Sequence, residues 1–260
     1  MQGFKDHFSG NSASYAKARP TYPDALYDWL AQIAPRRLLA WDCGCGAGQA
    51  SLGLAERFER VIATDASADQ IAAASPHPRV EYRTAPAEAS GIEAATVDLT
   101  VVAQALHWFD FDRFYAELRR VSKPDGVLAA VTYAMFRVSP AVDALIDAFY
   151  RDVTGPYWPP ERRHVETDYR DIPFPFERIA APDFTIERDW LPDQVMAMVD
   201  TWSGLKAYRK ALGHDPLPEL HRSLLAVWGD PAAVRPVRWA VKVIAGRSAE
   251  WLQSAAASTG

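Results

Sequence analysis

The chain has 260 residues, 49% of them apolar, and a formal net charge of −5. That apolar content supports a packed core and excludes a disordered chain, and the acidic balance argues against a nucleic-acid partner. No apolar run approaches the roughly 18 residues of a membrane span, the first residues lack a signal-peptide core, and the only cysteines, Cys43 and Cys45, stand too close for a relaxed disulfide. A reduced, cytoplasmic protein with no membrane partner is therefore expected.

In chain order, the stretch 21–35 predicts a helix. Thr21 would cap it, Asp24 lies three residues on, and Leu26, Trp29, Leu30 and Ile33 share one face. Short apolar runs then predict strands at 38–42, 60–64, 80–83, 97–103 and 126–133. Between them the pattern predicts helices at 49–58, 68–74 and 111–121, and a turn at 123–126. This alternation argues for a parallel sheet covered by helices on both faces, whose ligand binds at the carboxyl ends of the strands. After Tyr133 the pattern changes. A helix is predicted at 139–153, with Ser139 as its cap. The stretch 155–176 is rich in proline, aromatics and arginine and has no period, as a lid or binding loop would. A strand at 183–190, helices at 194–212 and 217–228, and a strand at 237–246 follow.

The stretch "WDCGCGAGQAS", Trp41 to Ser51, raises three readings. Metal binding is disfavoured, because the cysteines are C-x-C and no others exist. They read instead as small buried apolar residues, and no metal is expected. A dinucleotide loop needs G-x-G-x-x-G, whereas here the order is Asp42-x-Gly44-x-Gly46-x-Gly48. A pyrophosphate would not sit beside the Asp42 carboxylate; a ligand carrying an ammonium or sulfonium would. Asp65 ends the second strand, where an acid can accept hydrogen bonds from both ribose hydroxyls. The expected ligand is an adenosine joined to an amino acid with no phosphate between, which S-adenosylmethionine satisfies.

The motifs "LLAWDCGCGAG", "VIATDAS", "APAEA", "VDLTVVAQALHW" and "ELRRVSKPDGVL" occur in that order between Leu38 and Tyr133. This stretch resembles class I S-adenosylmethionine-dependent methyltransferases. "ASYAKARPTYP", "AQALHWFD", "IPFPF" and "TWSGLKAYRKALG" resemble the trans-aconitate methyltransferase-like subfamily. The resemblance implies an α/β fold with a doubly wound, mostly parallel seven-stranded Rossmann-like sheet and a helical and loop cap inserted after the fifth strand. Residues 1–35 would form an N-terminal lid, 36–133 the cofactor-binding core, 134–182 the cap, and 183–260 the end of the sheet with helices completing the substrate side.

On this reading Gly44, Gly46 and Gly48 admit the methionine part of the cofactor. Asp42 faces its ammonium or caps the next helix. Asp65 holds the ribose and Ala66 lies against the adenine. Ala87 and Glu88 read the adenine edge, unless Glu88 merely starts a helix. Gln104 and Ala105 touch the cofactor through backbone atoms, and Tyr15 and Arg19 fold over it. His107 and Trp108 line the active site at the rim, or else are a hinge and a core residue. The aromatic face of Trp108 suits a sulfonium.

The expected reaction is an in-line displacement of the methyl group, catalysed mainly by alignment and water exclusion. A carboxylate acceptor needs no base, whereas for a phenol or amine His107 could serve. The acceptor is expected to be a small molecule, with methyl-ester formation on an acid as one form. Arg137, Arg151, Arg162, Arg163, His164, Arg170, Lys206 and Arg209 would bind such an acid, or form a solvated, ion-paired surface. The cap aromatics Trp158, Phe174, Phe176, Trp202 and Tyr208 equally suit a flat apolar acceptor, or plain core. Methylation of a natural product, protein or RNA, and non-catalytic cofactor binding, stay open as alternatives. A monomer or weak homodimer is expected.

Overall fold

A computed structural model of the chain describes residues 21–247. Strands β1 (Leu39–Cys43), β2 (Arg60–Asp65), β3 (Val80–Thr84), β4 (Val97–Ala103) and β5 (Ser122–Tyr133) alternate with helices α1 (Asp24–Ile33), α2 (Gln49–Ala55), α3 (Ala68–Ala72) and α4 (Phe111–Val121). The remainder contains α5 (Pro140–Ala148), α6 (Arg162–Glu166), β6 (Glu177–Ile179), β7 (Phe184–Trp190), α7 (Pro192–Asp200), α8 (Ser203–Leu212), α9 (Leu217–Trp228) and β8 (Arg235–Arg247).

The sheet order is β3-β2-β1-β4-β5-β8-β6, with β7 also paired to β8. The first five strands are parallel. β8 runs antiparallel to β5, and β6 and β7 pair antiparallel with successive parts of β8. β6 and β7 thus share one edge position, so the eight strands fill seven positions. This is the mostly parallel, Rossmann-like sheet that the sequence implied.

Because strand side chains alternate, the sheet has two apolar faces. Ala40, Val61, Leu99, Val101, Ala129 and Val131 pack on one side with α1, α2, α5 and the helices α7–α9. Trp41, Cys43, Ile62, Val102, Leu128 and Ala130 pack on the other with α4 and the segment around Tyr169. The helices on both faces follow from strands that are apolar on both.

Some expectations are corrected. Thr21 does not cap α1; Pro23 holds that position, and Thr21 instead accepts hydrogen bonds from Arg188 of β7. Ser139 makes no side-chain cap; the Asp143 carboxylate accepts from the Val138 amide there. The turn at Lys123–Gly126 is a bulge inside β5, whose pairing with β4 shifts register there. Lys123 is drawn in by the buried Asp98, 2.7 Å away. The single helix expected over 194–212 is two, α7 and α8. Thr201 Oγ1 donates to the Met198 carbonyl at 2.6 Å, so the side chain competes for a backbone acceptor where α7 stops. The stretch 155–176 is not loop throughout: it carries a 3₁₀ turn at Gly155–Tyr157 and α6. Among the described residues no helix is long and apolar enough to cross a membrane.

Candidate active site

Three carboxyl ends of strands converge: β1 at Cys43, β2 at Asp65 and β4 at Ala103. The turn after β1 is held to β2, because the Gly44 and Cys45 amides both donate to the Thr64 carbonyl, at 2.8 and 3.0 Å. Gly44, Gly46 and Gly48 all take positive φ, 71°, 54° and 84°, the left-handed region where a side chain is strained. Space constrains two of them as well. A Cβ on Gly44 would lie 2.6 Å from the Ala105 Cβ, and one on Gly48 would lie 2.4 Å from the Tyr82 hydroxyl. The turn therefore brings bare backbone beside the end of β4. Cys43 and Cys45 are buried free thiols, both pushed up in pKa chiefly by burial.

Asp42 is fully buried. Its Oδ2 accepts from Ser51 Oγ at 2.6 Å, while its Oδ1 has no hydrogen-bond partner among the described residues. Burial, with Asp65 adding its charge, pushes its pKa up to about 7, against the opposing hydrogen bond from Ser51. A buried carboxylate oxygen without a donor is costly and suits a cationic ligand group. Asp65 is half-buried, and its oxygens accept from the Gly46 amide and the Ser67 amide, each at 2.9 Å. The acid thereby ties the glycine turn to the start of α3. Ala66 follows it, also half-buried. Ala87 is buried in the same apolar cluster as Ile62 and Ala105. Glu88 begins no helix; its carboxylate accepts from the Asp110 amide at 3.1 Å, which joins the loop after β3 to the start of α4.

Gln104 takes a positive φ of 56° without being glycine. Its amide donates to Val131 O, its Nε2 to Tyr133 O at 2.7 Å, and its Oε1 accepts from Thr132 Oγ1 at 2.9 Å. Such over-determined strain is found at working sites. The 3₁₀ turn Leu106–Trp108 follows. The two rim candidates part there. His107 is buried, and its Nδ1 lies 2.9 Å from the Tyr169 hydroxyl. Trp108 lines a cleft together with Gln104, Tyr133, Trp158, Arg162 and Trp202. Tyr15 and Arg19 lie outside the described residues.

Two residues near the site were not singled out in the sequence. Tyr169, fully buried and at φ 60°, meets His107 from the cap side. Tyr22 is buried edge-on to Tyr133, with ring centroids 6.1 Å apart, and burial, with a smaller part from nearby groups including Asp42, pushes its hydroxyl well up in pKa. Tyr22 falls inside the motif "ASYAKARPTYP", whereas Tyr169 lies in the aperiodic stretch 155–176, where no short-range signal marks it. Among the cap aromatics, Trp158 and Trp202 line the cleft. Phe174 and Phe176 pack instead beside Tyr115 and Arg178, and Tyr208 against Tyr157. Most of the cap cations are engaged by neighbouring acids: Arg137 by Asp147, Arg151 by Asp152, Arg163 and His164 by Asp171, and Arg209 by Asp200 and Asp215. Arg170 bonds the Thr167 carbonyl, and Lys206 lies on α8. Among the described residues no group of three or more metal-ligating side chains is found.

Residues 41–130 match the family model described as a methyltransferase domain. A Dictyostelium discoideum protein described as a methyltransferase is 34% identical over 229 residues, 86% of this chain and 87% of that one. A Saccharomyces cerevisiae protein described as an S-adenosylmethionine-dependent methyltransferase is 27% identical over 61% of this chain and 59% of its own. A solved protein of Anaeromyxobacter dehalogenans, described as a type II methyltransferase, is 52% identical, superposes with a TM-score of 0.83, and is covered over 97% of its length against 88% of this chain.

Proposed function

The chain belongs to the S-adenosylmethionine-dependent methyltransferases, and we propose that within this family it methylates a small organic acid on its carboxylate, giving a methyl ester. The observation that carries the proposal is the cleft at the end of β4, walled by Trp108, Tyr133, Trp158 and Trp202 and bordered by Arg162. Its aromatic walls fit a small, flat or unsaturated acceptor. The resemblance to the trans-aconitate methyltransferase-like subfamily, in "AQALHWFD" and "TWSGLKAYRKALG" among other motifs, points to the same class.

The residues present fit the cofactor, S-adenosylmethionine. In this reading the bare backbone at Gly44, Gly46 and Gly48 admits its methionine part, and Asp42 Oδ1, without a partner among the described residues, receives the ammonium. Asp65 takes the ribose hydroxyls, Ala66 lies against the adenine, and Ala87 and Glu88 border the adenine edge. Gln104 and Ala105 close the floor. Bound there, S-adenosylmethionine supplies a methyl group on a positively charged sulfur, taken in line by an acceptor oxygen as the carbon–sulfur bond breaks. Trp108 offers its aromatic face to the cation. His107 supports Tyr169 rather than serving as a base, because a carboxylate is already ionised at pH 7. Residues 36–133 act as the cofactor core, 134–182 as the cap, and the segment from 183 completes the acceptor side.

Cofactor labelled in its methyl group, incubated with acids, phenols and amines, tests the proposal. Base-labile label on an acid is the expected result. Base-stable label on a phenol or amine overturns it and makes His107 the residue to substitute.

A further inference from the structure

Among the described residues Arg162 forms no ion pair, whereas Arg137, Arg151, Arg163 and Arg209 each have an acid within 4 Å. Arg170 and Arg178 also lack an ion pair, but they bond the Thr167 carbonyl and cover Phe174, and neither lines the cleft as Arg162 does. Arg162 is also held in place. Its Nε donates to the Tyr150 hydroxyl at 3.0 Å, and that hydroxyl donates in turn to Glu166. Its guanidinium lies over the Trp158 ring, 4.8 Å from the centroid.

Trp158 is fixed as well. Its Nε1 donates to Thr154 Oγ1 at 3.1 Å, and its ring packs so close to Gly204 that a Cβ there would sit 2.7 Å away. Both Arg162 and Trp158 line the cleft shared with Gln104 and Trp108. With Nε spent on Tyr150, the Nη donors are the part of the fork left for a ligand. A planar guanidinium held in one plane matches a carboxylate in two parallel hydrogen bonds. The exposed, acid-paired arginines cannot compete, since each already has its counter-charge.

We propose that Arg162, held by Tyr150 and Trp158, is the residue that selects an anionic acceptor, by binding a carboxylate of the substrate in the aromatic cleft. This rests on the reading of the cleft as the acceptor site, and it does not require the bound carboxylate to be the one methylated. The neutral walls leave the acceptor's body undiscriminated, so the charge preference is concentrated at one side chain.

The test uses the full chain with S-adenosylhomocysteine present. Binding of trans-aconitate, cinnamate and 4-hydroxybenzoate is measured by calorimetry, each beside its amide. Wild type is expected to bind at least one acid tenfold or more tightly than its amide. Arg162→Gln is expected to erase that preference and leave amide and cofactor affinities within twofold, and Arg162→Lys to restore part of it. Unchanged cofactor affinity reports an intact fold. The assignment is overturned if wild type prefers no acid over its amide, or if the preference survives in Arg162→Gln. With S-adenosylmethionine in place of S-adenosylhomocysteine, methyl transfer onto the phenol of 4-hydroxybenzoate, lost in Arg162→Gln, would remove the methyl-ester reading while leaving Arg162 as the selecting residue.

Discussion

The cofactor side and the acceptor side of the cleft hold their shapes by different means. The turn after β1 is fixed by backbone: three glycines at positive φ, and amides bonded to Thr64 and Asp65. The cap is fixed by side chains, with Trp158 against Gly204, Arg162 against Tyr150, and Tyr169 against His107. A backbone-built site tolerates almost no substitution but can be read from a short motif. A site built by side chains leaves little trace in local sequence and can change its specificity one residue at a time.

The sharpest way to break this contrast is Gly48→Ala. The new Cβ meets Tyr82 at 2.4 Å in a left-handed conformation, and strain of about 1–3 kcal/mol is expected. Cofactor affinity should fall more than thirtyfold by calorimetry, with a lower melting temperature; wild-type behaviour would show that the turn is not needed in this form. Asp65→Ala should weaken cofactor binding at least tenfold, about 1.4 kcal/mol. An unchanged Kd removes the ribose role.

Asp42 sharpens the comparison through pH. Its folded pKa, near 7, lies above the unfolded value of 3.8. The unfolded state therefore releases its proton first, and stability falls as pH rises from about 4 to 7, then levels off. A cationic ligand prefers the ionised form, so cofactor affinity should rise roughly tenfold between pH 6 and 8. Asp42→Asn should flatten both profiles in scanning calorimetry and titration. If the wild type shows neither slope, Asp42 is ionised throughout and paired with another group.

On the cap side, Gly204→Ala displaces Trp158 and should raise the acceptor KM severalfold with cofactor Kd unchanged. A change in cofactor Kd would mean that the two sides are mechanically coupled. The smallest effect belongs to Arg209→Ala. Its ion pairs with Asp200 and Asp215 are partly exposed, and such pairs contribute about 0–1 kcal/mol. Acceptor KM should stay within twofold; a larger rise would spread acid recognition beyond Arg162.

The same contrast explains what could be read in advance. β1, β2 and β4 stood out because a strand buried on both faces is a short apolar run that ends in a turn, as after Cys43 and Asp65. Gly44, Gly46, Gly48 and Asp65 fall at strand ends where topology alone gathers them. The split of α7 from α8 was hidden because Val199 and Leu205 are buried on either side of it and Trp202 between them, so the apolar pattern runs on past the break. β6 is only three residues long and exists because β8 offers an edge. Arg162 and Arg163 are neighbours of identical type. Tyr150 and Trp158, neither of them on the helix that carries both arginines, separate the one in the cleft from the one paired with Asp171.

β8 lies between β5 and the β6–β7 edge. During synthesis β5 emerges about a hundred residues before β8. At roughly 5–20 residues per second, the edge of β5 stays open for about 5–20 s. An open parallel sheet edge is a template for pairing with other chains. Chain segments made in that interval, including α5 and the cap, are the material available to shield it. Nascent chains halted before Arg235 should therefore be the aggregation-prone species, and the yield of this protein in a heterologous host should depend on how fast the ribosome crosses the cap.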